Sequence, residues 1–135
     1  VAKFIDSTHE DRQGAVLIHC REGVSRSPAF AMAYLLLSKQ VETLRQAYES
    51  LKRVRPQTAP QPAFVEQLAR LEVALNPLVS EPTMTAEEYL HRHLEEELGK
   101  VGLSVGQEEM QMAVRETQWD MDKAFSILLE IAQKV

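Results

Sequence analysis

Cysteine is almost absent from this sequence, since Cys20 is the only one among 135 residues. A single cysteine excludes an internal disulfide framework and favours a reducing compartment, so we expect the cytoplasm, with the nucleus as the alternative. The sequence also lacks a signal peptide and any apolar run near the roughly 20 residues that span a bilayer. These absences predict that the chain has no membrane partner.

Positive charge is scarce in the second half of the chain. Residues 76–135 contain five lysines and arginines against twelve acidic residues, whereas residues 1–75 contain ten against eight, and the whole chain has a formal net charge of −5. Such an asymmetry favours two units with different partners. Because phosphate contacts require clustered cations, the acidic half argues against a nucleic-acid partner.

Residues spaced to hold a metal ion are also lacking. His91 and His93 lie two positions apart in a helical segment, so their side chains do not share a helix face. We therefore expect these histidines to face solvent and to form no metal site. We also predict that the chain needs no cofactor.

What the sequence does contain is the stretch His19–Pro28, HCREGVSRSP. The apolar residues 15–18, AVLI, precede it and predict a short buried strand. An apolar helix-forming run over 27–39 follows it, and Pro28 suits the first turn of a helix. A loop between a strand end and a helix start can turn its backbone N–H groups toward one point, which is how proteins hold an anion.

The residue types in this stretch point to a nucleophilic thiol. Converging N–H groups and a guanidinium would stabilise a thiolate at Cys20. Arg26 offers a planar fork that matches two phosphate oxygens, and Gly23 permits a tight bend. Ser27 can offer a hydroxyl to the sulfur as it leaves, and His19 is predicted to support the nucleophile from behind. We therefore predict phosphoryl transfer to Cys20 and then hydrolysis.

The pattern His-Cys-x-x-Gly-x-Ser-Arg-Ser resembles the phosphate loop of the cysteine-dependent protein tyrosine phosphatase superfamily, and its full form resembles the dual-specificity branch. The similarity extends from about Phe4 to Leu68. It implies hydrolysis of protein phosphotyrosine and phosphoserine or phosphothreonine through a phosphocysteine intermediate. By this resemblance Cys20 is the nucleophile, Arg26 stabilises the transition state and Ser27 supplies the hydroxyl. The residues expected to bind phosphate are Arg21, Glu22, Gly23, Val24, Ser25 and Arg26.

Three features depart from that family. Its general acid is an aspartate on a loop well upstream of the cysteine, and Asp6 is not a substitute because it matches the helix before the strand. The family's upstream strands have no counterpart here. The segment 60–64, PQPAF, stands where the family usually has Pro-Asn-x-Gly-Phe, so the contact that the asparagine makes is in question. We therefore expect the C-terminal part of a catalytic domain, impaired for lack of its acid.

Two other functions remain open at this point. A catalytically weak adaptor that binds phosphorylated sites would show tight phosphopeptide association without turnover. A sulfurtransferase or arsenate reductase uses a similar anion loop, although the continuation Arg26-Ser27-Pro28 favours the phosphatase. Activity assays with thiosulfate and arsenate as substrates distinguish a sulfurtransferase or an arsenate reductase from a phosphatase.

Apolar periodicity predicts a predominantly helical chain. We expect the C-terminal part of an α/β phosphatase fold, with one phosphate-loop strand and packed helices, over 1–75. A linker over 76–84, with two prolines and no periodicity, leads to a small all-α three-helix domain over 85–135. Residues 85–88, TAEE, are typical of a capping box. Helices in the first domain are predicted over 1–13, 27–39, 43–54 and 61–75.

The three helices predicted over 85–135 resemble a ubiquitin-associated or CUE-like domain. Val101-Gly102-Leu103 stands where such domains have Met-Gly-Phe, and residues 122–129, DKAFSILL, add to the similarity. The resemblance implies that ubiquitin is a partner, so the alternative adaptor would carry a ubiquitin-binding helical tail. The residues that it implies for ubiquitin binding are Val101, Gly102, Leu103, Leu128 and Leu129.

Overall fold

Two compact units make up the chain. The computed structural model describes residues 2–12 and 14–134, with the side chains of 3–8 and 14–134, so positions 1, 13 and 135 of the predicted helices and domains lie outside the described residues. One unit consists of Val1–Pro60 and Gln67–Thr83, and the other of Gln61–Glu66 and Met84–Val135. The longer part of the second unit begins at Met84, the last residue of the predicted linker. The domains expected over 1–75 and 85–135 stay predictions.

The described residues form helices close to those that the apolar periodicity predicts. None of these helices combines the length and the apolar character that a membrane crossing requires. Their bounds are Ala2–Arg12 (α1), Arg26–Leu37 (α2), Leu44–Val54 (α3), Pro62–Leu75 (α4), Ala86–Lys100 (α5), Gln107–Glu116 (α6) and Met121–Gln133 (α7).

The strand predicted over residues 15–18 is not formed, and that prediction was wrong. Residues 14–20 carry no regular secondary structure. Their burial nevertheless alternates, because Val16 and Ile18 are half-buried whereas Ala15 is exposed and Leu17 is 83% exposed. This is the pattern of a strand covered on one face. A strand also needs a neighbour for its N–H and C=O groups, and the described part of the chain contains no other strand.

The first unit is built on α2 and α3, which contact each other. α2 is apolar on most sides, whereas α3 is amphipathic and ends in the basic residues Lys52 and Arg53. α3 begins with a capping box that we had not predicted, in which the Thr43 hydroxyl accepts from the Gln46 N–H at 3.1 Å. The apolar side chains that the two helices bury are Ala29, Met32, Leu36, Leu44, Ala47 and Tyr48.

A buried carboxylate ties the predicted linker to α3 within this unit. The Glu72 side chain of α4 is 2% exposed. It accepts hydrogen bonds of 2.6 Å from the Leu44 N–H, the Thr83 N–H and the Thr83 hydroxyl. Arg45 then donates to the Thr83 carbonyl oxygen from Nε at 3.2 Å and from Nη2 at 2.8 Å. The end of the predicted linker is therefore fixed rather than freely moving.

The second unit contains α5, α6 and α7, each of which contacts the other two. The predicted capping box at Thr85 and Glu88 is confirmed, with side chain and backbone paired in both directions. Asp120 caps α7 by accepting from the Lys123 N–H at 2.9 Å. The core of this unit comes from one apolar stripe on each helix. These stripes are Leu90, Leu94 and Leu98 on α5, Met110, Ala113 and Val114 on α6, and Met121, Ala124 and Leu128 on α7.

We expect the change Glu72→Ala to lower the free energy of unfolding of the first unit by about 2–4 kcal/mol, because it leaves two backbone donors and one hydroxyl without their buried acceptor. Urea unfolding followed by circular dichroism measures this difference. Glu49→Ala, which removes an exposed carboxylate from α3, is the matched control and should change stability little. Equal unfolding midpoints for the two variants would contradict the structural role of Glu72.

Candidate active site

The candidate site is the loop between residue 20 and the first turn of α2. Cys20 is half-buried and ends the irregular segment 14–20, while Arg26 is the first residue of α2. Gly23 has φ of +69°, in the left-handed region that a glycine adopts at least cost. The predicted succession of Cys20, a tight loop and a helix start is therefore present, although residues 14–20 before it form no strand.

Hydrogen-bond donors surround the Cys20 sulfur. The N–H groups of Gly23 and Ser27 lie 3.3 Å and 3.4 Å from Sγ. The Ser27 hydroxyl oxygen lies 3.4 Å from Sγ and shares a hydrogen bond with it, which the hydroxyl donates once the thiol is ionised. The Ser27 hydroxyl, the Ser27 N–H and the N–H groups of Gly23 and Glu22 lower the pKa of the Cys20 thiol from 9.0 to about 6, against an opposing effect of burial. Most of this thiol is therefore ionised at neutral pH.

The other loop residues differ in exposure. Arg21, Glu22 and Arg26 have exposed side chains, so both guanidinium groups are accessible to an anion from solvent. Val24 and Ser25 are half-buried, and Ser27 is buried at the start of α2. The loop thus places its charged side chains outside and the Ser27 hydroxyl at the sulfur.

His19 does not support the nucleophile from behind, and that expectation was wrong. Its side chain is exposed. It lines an open groove of about 490 Å³ together with Phe4, Ile5, Phe30 and residues 16–18. Since no strand among the described residues lies beside 14–20, the face of this segment that carries His19 is left uncovered.

The connection between α3 and α4 holds the outer side of the loop. The Arg55 guanidinium donates from Nε to the Gly23 carbonyl oxygen at 2.9 Å and from Nη2 to the Glu22 carbonyl oxygen at 3.4 Å. The Ala59 N–H donates to the Val24 carbonyl oxygen at 2.7 Å. Arg55 is not among the site residues that the sequence predicts. Its two acceptors lie 32 and 33 positions earlier in the chain, so no local pattern indicates this contact.

Asp6 is hydrogen-bonded to a residue of α2 beyond the loop. Its Oδ1 accepts a hydrogen bond of 2.7 Å from the Tyr34 hydroxyl. This bond, with burial and the nearby negative charge, raises the pKa of Tyr34 above 10.0. An α1 carboxylate engaged with α2 agrees with the expectation that Asp6 is not the general acid.

The predicted ubiquitin-binding residues are not equally accessible. Val101 is 57% exposed, Gly102 has φ of +75°, and Leu103 is half-buried in the turn after α5. Leu129 is half-buried on α7. Leu128 is 0% exposed, so including it among surface residues was wrong: it lies on the α7 face that packs against the core.

The residues described by the structure contain no group of three or more histidine, cysteine or acidic side chains placed to hold a metal ion. His91 and His93 are half-buried rather than exposed as predicted. Tyr89 and His93 stack with ring centroids 6.0 Å apart on one side of α5. These histidines therefore belong to the packing of the second unit.

The family model for the dual specificity phosphatase catalytic domain matches residues 1–74. This chain belongs to the dual-specificity phosphatase family. The matched residues include the loop, α2, α3 and all of α4 except its last residue. Helices α5, α6 and α7 lie outside the match.

Individual relatives agree with this assignment. The chain is 42% identical over 79 residues to dual specificity protein phosphatase 5 of Rattus norvegicus, which covers 58% of this chain and 20% of that protein. It is 40% identical over 70 residues to protein-tyrosine-phosphatase IBR5 of Arabidopsis thaliana, covering 52% of this chain and 26% of that protein. The matched part is thus about a fifth to a quarter of these relatives' length. No solved structure matches the chain.

We expect alkylation of Cys20 by iodoacetamide to rise with pH and to reach half its maximum near pH 6, because only the thiolate reacts. Cys20 is the sole cysteine, so the measured rate reports on it alone. In Ser27→Ala the midpoint should move toward 9.0, because the hydroxyl is the largest of the effects that lower this pKa. Ser104→Ala, an exposed serine of the second unit, is the control and should keep the midpoint near 6. A wild-type midpoint near 9 would contradict the donor arrangement.

Proposed function

We propose that this chain hydrolyses phosphotyrosine and phosphoserine or phosphothreonine in proteins, through a phosphocysteine intermediate at Cys20. The observation that carries the proposal is the set of donors around the Cys20 sulfur, from Gly23 and Ser27, which lowers the thiol pKa to about 6. Family membership supports the same reaction. A thiolate that must stay reduced is also consistent with a cytoplasmic location, which we include in the proposal.

In the first step the Cys20 thiolate attacks the phosphorus of the substrate. A bond forms between sulfur and phosphorus, and the bond between phosphorus and the substrate oxygen breaks, so that oxygen leaves with the electron pair and takes a proton from solvent. Arg26, exposed at the first residue of α2, is proposed to bind two of the phosphoryl oxygens as their charge is redistributed. The loop N–H groups complete the binding of the phosphoryl group.

In the second step water attacks the phosphorus of the phosphocysteine. The bond from phosphorus to sulfur breaks, inorganic phosphate leaves, and the sulfur regains its negative charge. The Ser27 hydroxyl, 3.4 Å from Sγ, is proposed to donate a hydrogen bond to the sulfur as this charge develops. Both steps therefore use side chains of the first turn of α2, Arg26 in the first step and Ser27 in the second.

The leaving group decides how fast the first step proceeds. Asp6 is held by the Tyr34 hydroxyl, and we propose that Asp6 does not protonate the leaving oxygen. An aryl oxygen of low pKa leaves readily without such help, whereas an alkyl oxygen does not. We therefore propose an impaired phosphatase, with phosphate esters of poor leaving groups turned over about 10²–10⁴-fold more slowly than with an acid.

We expect the chain to release phosphate from 4-nitrophenyl phosphate, and Cys20→Ser to abolish this release because the nucleophile is lost. Arg26→Ala should lower kcat/KM by about 10²–10³-fold through the loss of transition-state contacts. A series of aryl phosphates should show rates that fall steeply as the pKa of the leaving phenol rises. Colorimetric phosphate release measures all of these.

The control for Arg26 is Arg53→Ala, which removes an exposed guanidinium from α3 and should leave kcat/KM unchanged. Release that survives in Cys20→Ser would contradict the proposal. So would equal rates with thiosulfate or arsenate as substrate, since those would favour a sulfurtransferase or an arsenate reductase. Tight phosphopeptide binding with no release at all would favour the adaptor.

A second proposed function belongs to α5, α6 and α7. We propose that this unit binds ubiquitin through the turn that follows α5. The supporting observation is that Val101 is 57% exposed beside Gly102 at φ of +75°, so an apolar side chain projects from a tight turn. Leu103 and Leu129 are half-buried, and we propose that their accessible apolar area contributes to the binding. Leu128 is fully buried and is not included.

We expect ubiquitin to shift the amide resonances of Val101, Gly102 and Leu103 in a saturable way, and Val101→Asp to remove the shifts because it places a charge in the apolar contact. Two-dimensional NMR titration of the full chain measures this. Met112→Asp, a comparable change at an exposed apolar side chain of α6, is the control and should bind like wild type. Shifts that are absent in wild type, or equal in both variants, would contradict the proposal.

A further inference from the structure

Three consecutive carbonyl groups of the loop accept hydrogen bonds from one neighbouring segment. The Glu22 and Gly23 carbonyl oxygens accept from the Arg55 side chain at 3.4 Å and 2.9 Å. The Val24 carbonyl oxygen accepts from the Ala59 N–H at 2.7 Å. The holding groups thus all come from the connection between α3 and α4.

The geometry of the peptide unit links the bonds to the loop carbonyls with the direction of the loop N–H groups. In a trans peptide the carbonyl of one residue and the N–H of the next point in opposite directions. Holding the Glu22 carbonyl outward therefore turns the Gly23 N–H inward, where it lies 3.3 Å from the Cys20 sulfur. Holding the Gly23 carbonyl in the same way sets the direction of the Val24 N–H.

The connection that carries Arg55 is itself fixed. The Thr58 N–H donates to the Arg55 carbonyl oxygen at 3.0 Å, and Lys52 Nζ donates to the Thr58 carbonyl oxygen at 3.1 Å. Thr58 is 1% exposed and Pro60 is fully buried. The guanidinium also lies tightly against the loop, because a Cβ added at Gly23 would come within 2.9 Å of Arg55 Nη2. A glycine at position 23 thus serves both the turn and this contact.

We propose that Arg55 is a positioning residue of the candidate active site, which orients the loop N–H groups toward the Cys20 sulfur and toward a bound phosphoryl group. It acts from outside the loop, through the Glu22 and Gly23 carbonyls, and contacts neither the sulfur nor the substrate. The inference rests on the proposed function only in taking the ligand of the loop to be a phosphoryl group.

The test compares Arg55→Ala and Arg55→Lys with the wild type in two measurements that need no turnover. The first is the pH profile of Cys20 alkylation, and the second is the dissociation constant of inorganic phosphate measured by calorimetry. Because the guanidinium is exposed, each bond that it makes is of moderate strength. We expect Arg55→Ala to weaken phosphate binding about three- to tenfold and to raise the alkylation midpoint by roughly half to one pH unit.

Arg55→Lys keeps one donor but cannot bind both carbonyls as a guanidinium does. Its alkylation midpoint and its dissociation constant for phosphate should therefore lie between those of wild type and Arg55→Ala. Arg53→Ala removes the same charge two residues earlier, from an exposed site on α3, and should match wild type in both measurements. Thermal unfolding followed by circular dichroism checks that each variant is folded, and Arg55→Lys carries the test should Arg55→Ala unfold.

Unchanged alkylation midpoint and phosphate affinity in Arg55→Ala and Arg55→Lys would overturn the inference, as would an equal change in Arg53→Ala, which would indicate a general effect of charge. A wild type that binds no phosphate would also overturn it. A wild type that binds phosphate, responds to Arg55→Ala and yet releases none from 4-nitrophenyl phosphate would uphold the inference while contradicting the proposed hydrolysis.

Discussion

The direction of a few backbone N–H groups is the constraint on which the candidate site depends. A thiol has little nucleophilic character while protonated, and here hydrogen bonds from Ser27 and Gly23 favour the thiolate form of Cys20. Such donors act only if their carbonyl partners face the other way. The loop therefore needs acceptors satisfied on its outer side as much as it needs donors on its inner side. Arg55 and Ala59 satisfy the carbonyl oxygens of Glu22, Gly23 and Val24.

The segment before the loop obeys a different constraint. Residues 14–20 alternate in burial as a strand does, yet no strand among the described residues pairs with them. Alternation requires only that one face of the segment is covered, whereas pairing requires a second backbone at hydrogen-bonding distance. Burial of one face and pairing of the backbone are therefore separate properties, although the sequence pattern predicted both. This distinction also explains why Leu17 is exposed although its residue type and neighbours predicted burial.

Local patterns predicted much of the fold and the centre of the site. Apolar spacing located the helices, the TAEE pattern predicted the capping box at Thr85, and the loop motif brought Ser27 to Cys20. Long-range partners were not predictable in the same way. Glu72 meets Leu44 across 28 positions, and Arg55 meets Gly23 across 32. In the sequence, Glu72 and Arg55 look like ordinary surface residues. Only the folded structure shows the donors that bind Glu72 and the acceptors that bind Arg55.

These two long-range contacts act on the same helix. The Leu44 N–H at the start of α3 is bound by the buried Glu72 carboxylate, and Arg55, directly after the end of α3, binds the loop. An eleven-residue α-helix is about 16 Å long and resists bending. A shift of α3 along its axis would break the short bond to Glu72 and move the guanidinium from the Glu22 and Gly23 carbonyls together. The orientation of the N–H groups at Cys20 is therefore tied, through one rigid helix, to a carboxylate that lies outside the loop and takes no part in the proposed chemistry.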